Sequence, residues 1–164
     1  METWNIICAI CAILEVITLI VTLTITLVSL SRSRKVERQK TVVDLYKEFI
    51  KNDDIYEAFH EIEFNPDEWF DANKFYKGGK DSLEKKIDRL FIYLNGVIYS
   101  HNIGILSDED FELFKYKINS VFRSQSTIEY LKFLNAYSDV CVDSQSSFQH
   151  LINYGKESGY FDIN

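Results

Sequence analysis

One proline and six glycines in 164 residues are too few turn formers for an all-β chain, which reverses direction about every 8 to 12 residues. The same scarcity excludes collagen-like and linker-rich organisation. Neither residue occurs between Met1 and Asn65, so nothing in that stretch obliges a helix to stop. Cysteine is scarce as well. Cys8, Cys11 and Cys141 give no disulfide framework and suit a reducing compartment. A net basic balance is also missing: the formal charge of -7 argues against a general nucleic-acid binder, which needs cationic surface to displace phosphate counterions.

What the chain does hold is apolar and aromatic. Hydrophobic residues make up 46% and aromatic residues 15%, enough for one compact core, and the expected class is all-α with a helical bundle. The apolar residues are unevenly placed. From Ile6 to Leu30 the only formally charged residue is Glu15, and Ile, Leu and Val fill fifteen of the twenty-five positions. As a helix this segment reaches roughly 37 Å, against about 30 Å of hydrocarbon. Each Ile, Leu or Val contributes about -0.3 to -0.6 kcal/mol to insertion, which outweighs the roughly 2.5 to 3.5 kcal/mol of one carboxylate. A transmembrane anchor over residues 1–31, spanning 6–30, follows. A cleavable signal peptide would need a basic start, and this chain opens Met1-Glu2-Thr3-Trp4-Asn5.

Residues 32–40 carry five bases, Arg32, Arg34, Lys35, Arg38 and Lys40, against the single acid Glu37. By the positive-inside rule this segment is cytoplasmic, which sets the N-terminus outside, the C-terminal domain inside and the protein in the cell (inner) membrane. A topology signal is the simpler reading of the cluster, and contact with lipid headgroups is the other. Beyond it, residues 41–164 hold 13 basic and 22 acidic residues, so an anionic leaflet should attract the collar and repel the domain.

The domain is expected over 41–155, with 156–164 a flexible tail. The spanning helix should continue into 41–51, where positions 42, 43, 46, 49 and 50 form an apolar stripe. Asn52-Asp53-Asp54 reads as a stop and a new cap before a helix bearing Ile55, Tyr56, Phe59 and Ile62. Asn65-Pro66-Asp67-Glu68 opens a brief helix through Trp69 and Phe70, which Tyr76-Lys-Gly-Gly-Lys80 breaks. Asp81 with Glu84 caps the principal helix, with inward positions 83, 87, 90, 91, 94, 97, 98 and 101. Its middle is apolar nearly all round, which makes it central, and Gly96 predicts a close crossing. The helix ends at Asn102-Ile-Gly104. Ser107 with Asp110 and Ser126 with Glu129 predict two more capped helices, and a last helix runs from about Ser144 to Gly155. Leu90, Leu94, Val97, Phe111, Phe114 and Leu131 should be buried together.

Candidate chemistry is thin. Cys8-x-x-Cys11 has metal or redox spacing but sits on the span without a second ligand pair. His60, His101 and His150 belong to no metal motif, and a Cys141–His150 nucleophile pair has no local signature. Asp108-Glu-Asp110 lacks the calcium loop and suits a helix N-terminus. Gly78-Gly79 follows no strand and cradles no phosphate. No cofactor, metal, nucleic acid, small-molecule substrate or enzymatic activity is therefore expected.

The span has more to say. Cys8, Cys11, Ala12, Glu15, Thr18, Thr22, Thr26 and Ser29 fall within one arc of about 120° at 100° per residue. Small and weakly polar residues on one face let membrane helices approach and hydrogen-bond. Self-association, or pairing with a membrane protein partner, is expected there, with Glu15 bonding across. The alternative is that Thr and Ser satisfy carbonyls of their own helix. A rival function is a holin-like or effector-like protein that perturbs the membrane through the Glu15-bearing span.

The order of one span, a basic stop and a helical domain centred on Asp88-Arg-Leu-Phe-Ile-Tyr-Leu-Asn-Gly-Val-Ile-Tyr-Ser-His-Asn-Ile-Gly-Ile-Leu-Ser-Asp-Glu-Asp-Phe111 resembles a family of uncharacterised bacterial and phage small membrane proteins. The likeness covers roughly residues 41–140 and rests on apolar and capping residues. It implies a helical fold and attaches no activity.

Overall fold

The structure, a computed structural model, describes residues 2–67, 69–71, 82–140 and 147–160, apart from the side chains of 2, 8–11, 82 and 137–140. Every regular element among the described residues is helical: α1 (Glu2–Lys51), α2 (Asp53–Phe64), α3 (Ser82–Asn102), α4 (Asp108–Phe122), α5 (Gln125–Val140) and α6 (Gln149–Glu157). The chain divides into two compact units, Met1–Thr41 and Val42–Asn164.

The first unit is helix alone. With neither Gly nor Pro to break it, α1 runs unbroken from the apolar segment through Arg32–Lys40 and on to Lys51. It is long and apolar enough to cross a membrane, and its most apolar stretch has mean hydropathy 2.8 with none of that stretch buried.

The second unit begins with the end of α1. Here the expected stripe is corrected: Phe49 is buried and Val42 and Leu45 pack partly on the core, whereas Val43 and Ile50 are exposed. Docking along a single edge covers an i, i+3, i+7 row only, so apolar residues beside that row stay outside. Tyr46 lies 5.8 Å from the Phe114 ring, and the Lys117 ammonium sits over Tyr46 and Phe49 at 4.9 and 4.7 Å.

α1 gives way to α2 at Asn52, whose backbone is extended (φ -88°, ψ 98°). Its side chain donates back to Glu48 at 2.9 Å instead of capping α2. Asp53 and Asp54 fill the first turn of α2, where the helix dipole favours them. Ile55, Ala58, Phe59 and Ile62 are buried, and Tyr56 is exposed.

The helix expected from Pro66 is absent among the described residues. Asn65 terminates α2, its N–H bonding Glu61 O at 2.8 Å. The groups that would have opened a new helix are used by α5. Ser124 donates to the Pro66 carbonyl and accepts from Trp69 Nε1 at 3.2 Å, while Asp67 accepts the Gln125 N–H at 3.3 Å. Residues 76–80 and Asp81 lie outside the described residues.

α3 is central and packs against α2, α4 and α6. Ile87, Leu90, Phe91, Leu94, Val97 and Ile98 are buried, and Leu83 is partly so. At 101, the end of the expected stripe, stands a half-buried histidine stacked on Phe111 at 4.2 Å. The expected crossing at Gly96 is also corrected, since a Cβ there would meet nothing within 4 Å. Glycine weakens a helix interior by about 1 kcal/mol relative to alanine. Gly96→Ala is accordingly expected to raise domain stability by up to that amount, read as a higher thermal midpoint.

Both ends of the α3–α4 connection follow the sequence. Gly104 takes φ +76°, with its N–H on His101 O and the Ile105 N–H on Ser100 O, a Schellman closure. Ser107 then forms a reciprocal capping box with Asp110. The cap of α5 is displaced from Ser126 to Ser124, whose hydroxyl accepts the Thr127 N–H at 3.1 Å. Its bonds to Pro66 and Trp69 make Ser124 the anchored choice.

The six expected core residues Leu90, Leu94, Val97, Phe111, Phe114 and Leu131 belong to one buried cluster with residues of α1, α2 and α6. Residue 144 lies outside the described residues, and α6 is described from Gln149. It runs past the expected Gly155 to Glu157. Gly159 at φ +74° closes it, and the Tyr160 ring stacks on Phe122 at 5.0 Å. The expected tail is thus packed through Tyr160, with 161–164 outside the described residues.

Candidate functional site

Two surfaces of the first unit carry the residues singled out by the sequence. On the apolar segment of α1, Ala12, Glu15, Thr18, Thr22, Thr26 and Ser29 all lie on continuous helix and are exposed. The side chains of Cys8 and Cys11 lie outside the described residues. Three threonine hydroxyls donate within the helix, Thr18 to Leu14 O, Thr22 to Thr18 O and Thr26 to Thr22 O, each at 2.8 Å. Thr24, on the opposite side, does the same to Ile20 O. These donors need no second helix. Among the described residues of that face Glu15 and Ser29 have no such helix-internal bond, and Glu15, the carboxylate of the two, is bordered by Leu14, Thr18 and Leu19 in a shallow groove. The backbone bonding realises, for those threonines, the alternative weighed from sequence.

The second surface is the basic segment. Arg32, Arg34, Lys35 and Lys40 are exposed and Arg38 is half-buried, all on one unbroken helix. The domain treats its cations differently. Lys86 pairs with Glu57 and Arg89 with Asp54 across the α2–α3 seam, and Lys115 bonds Glu112 at 2.6 Å.

Within the domain the polar groups serve packing. Asn95 Oδ1 accepts the Leu151 N–H at 3.0 Å, so α3 supplies the N-terminal cap that Phe148 cannot give α6. Tyr154 donates to Asn119 at 3.1 Å, and Tyr93 donates to the Leu45 carbonyl at 2.9 Å. Trp69 meets Tyr130 and Phe91 edge-on at 5.4 and 6.3 Å. None of these tertiary caps has a local signature, because each joins residues far apart in sequence.

The histidines are separate. His60 lies between Tyr56 and Phe64 at 4.6 and 5.3 Å, His101 meets Asp108 at 2.9 Å, and His150 rests against Tyr99 at 4.9 Å. Cys141, weighed with His150 as a nucleophile pair, lies outside the described residues. No group of three or more His, Cys, Asp or Glu is placed to hold a metal ion among the described residues. An open groove of about 500 Å³ lined by Glu57, His60, Glu61, Phe64, Asn65, Leu83 and Lys86 runs beside α2. Its Lys86 and Glu57 are already engaged with one another.

One half-buried acid gives the domain a pH dependence. Tyr130 donates to Asp88 Oδ1 at 2.6 Å. Desolvation raises the Asp88 carboxyl above its ordinary value, and the Tyr130 bond offsets this in part. Burial, with the Asp88 contact, raises the Tyr130 phenol. A folded-state value above the unfolded one means that the stabilising contribution is complete below the ordinary carboxylate range and is lost as pH rises through the raised value. Asp88→Asn keeps an acceptor for Tyr130 and removes that loss. Its thermal midpoint should exceed wild type at neutral pH and converge with it near pH 3.

No protein-family model, curated protein or solved structure matches this chain. The resemblance drawn from Asp88–Phe111 therefore rests on its sequence pattern alone.

Proposed function

We propose that the protein is a single-pass membrane-anchored helical interaction module, acting by self-association or by binding a protein partner at the cytoplasmic face of the cell membrane. The observation that carries this reading is an apolar helix with no inward-facing side, interrupted by one carboxyl group at Glu15 and followed by five bases. A carboxyl in hydrocarbon gains most from a hydrogen-bonding partner, and the small residues around it leave room for one. The N-terminus lies outside and the domain inside. No activity is assigned to the domain, whose polar groups serve as caps and seams.

Protease treatment tests the topology. Residues beyond 41 should be digested in inverted membrane vesicles and protected in intact cells, and the reverse pattern would overturn the orientation. Glu15 also supports the rival reading, a span that perturbs the bilayer by itself. Expressing residues 1–40 separates the two, because a perturbing span depolarises cells without the domain and an interaction module does not.

A further inference from the structure

The five bases of the juxtamembrane segment do more than a topology signal requires. The positive-inside effect depends on how many Lys and Arg flank a span, and it makes no demand on their arrangement around the helix. Here the arrangement is specific. Because α1 is unbroken through this segment, its 3.6-residue turn fixes where each base projects. Taking Arg32 as zero, Lys40, Arg34, Arg38 and Lys35 stand at about 80°, 200°, 240° and 300°, so no arc wider than about 120° lacks a cation. A face built to dock on one protein would gather its charges on one side.

Depth agrees with this distribution. Arg32 to Lys35 rise only about 4.5 Å along the helix, within the roughly 5 to 7 Å of one headgroup layer. Arg38, half-buried, and the exposed Lys40 follow within about one Debye length of that layer, close enough to feel its charge. Arg32, Arg34, Lys35 and Lys40 have no ion-pair partner among the described residues, although Glu37 lies in their midst. Ser31 and Ser33, on either side of Arg32, are small and exposed and leave space beside the helix for a headgroup.

We infer that Arg32–Lys40 is a collar that binds the phosphate groups of anionic phospholipids around the whole circumference of α1 and enriches them next to the protein. This rests on the membrane-spanning reading of α1. Each base near an anionic surface contributes about 1 kcal/mol, roughly a fivefold preference apiece before the sites compete for the same lipids. A shell of several anionic lipids is the consequence.

The test uses the full chain in nanodiscs of phosphatidylcholine with one-fifth phosphatidylglycerol, followed by native mass spectrometry of the lipids retained when the disc is opened. The ratio of phosphatidylglycerol to phosphatidylcholine among the retained lipids should be at least about fivefold that of the disc as a whole. The excess should fall toward the bulk share in a variant combining Arg32→Gln, Arg34→Gln, Lys35→Gln, Arg38→Gln and Lys40→Gln. Replacing only the arginines by lysine should keep most of it, because the attraction is to charge. Free inorganic phosphate at matched ionic strength should not displace the lipid if the bilayer presents the headgroups, and displacement would mean a soluble phosphate site instead. Retention at the bulk share by wild type would overturn the collar. Extraction of wild-type protein from membranes by alkaline carbonate is a separate readout, and it would overturn the spanning reading itself.

Discussion

Leu94→Ala is expected to lower the stability of the domain by about 2 to 5 kcal/mol, the range for removing a fully buried leucine without refilling its space. Leu94 has no exposed surface and sits midway along α3. That helix packs against α2, α4 and α6 together. A shift that closes the cavity toward one neighbour opens it toward another, which favours the upper part of the range. A domain of this size has about 5 to 15 kcal/mol in total, so the loss is a large fraction of it. Thermal melts of the detergent-solubilised full chain should place the midpoint of the variant about 8 to 20 °C below wild type. Ile92→Ala is the control, two positions away on the same helix and 55% exposed, and it should move the midpoint far less. Equal midpoints for Leu94→Ala and wild type would remove Leu94 from the core.

Glu15→Leu is expected to improve membrane insertion while weakening assembly in the bilayer about 5- to 30-fold, the effect of losing 1 to 2 kcal/mol of interhelical hydrogen bonding. Insertion improves because a carboxylate that opposes transfer is exchanged for a residue that favours it. Assembly weakens because the hydroxyls of Thr18, Thr22 and Thr26 already bond their own helix, which leaves Glu15 the group with most to gain from a neighbour. Glu15→Gln keeps a donor and an acceptor at nearly the same shape and should retain most of the association. Thr22→Val, which deletes a hydroxyl with an internal partner, should change it little. Crosslinking in native membranes measures all three. A Leu variant that crosslinks as well as wild type ends the interface proposal.

The two units differ in how much the sequence discloses. Local devices were readable: the Ser107–Asp110 box, the Gly104 turn and the buried row on α3 each depend on residues within a few positions of one another. The errors share one cause, which is a distant segment competing for the same group. Pro66 and Asp67 look like a helix start, yet their carbonyl and carboxylate are committed to Ser124 and Gln125 more than fifty residues on. Ser126 has the better capping pattern, and Ser124 prevails because Trp69 reaches it. Val43 and Ile50 were expected to be inward because they are apolar, but a single contact edge accommodates fewer residues than a full helical face. The Glu15 face of α1 was readable as a pattern of residue types, whereas the bonds that its threonines make inside the helix depend on rotamers, which no pattern specifies.

The cap that Asn95 provides to α6 gives the molecule a direction in time. Chains are made from the N-terminus at about 5 to 20 residues per second, so α1 has left the ribosome several seconds before α6 exists. Throughout that interval the groove on α3 that will hold Phe148, Leu151 and Ile152 is open, and Asn95 has no amide to receive. A nascent chain would thus carry an unfilled apolar slot until α6 arrives. A chain interrupted before Phe148 would expose to chaperones and proteases the apolar surface of α3 that α6 covers.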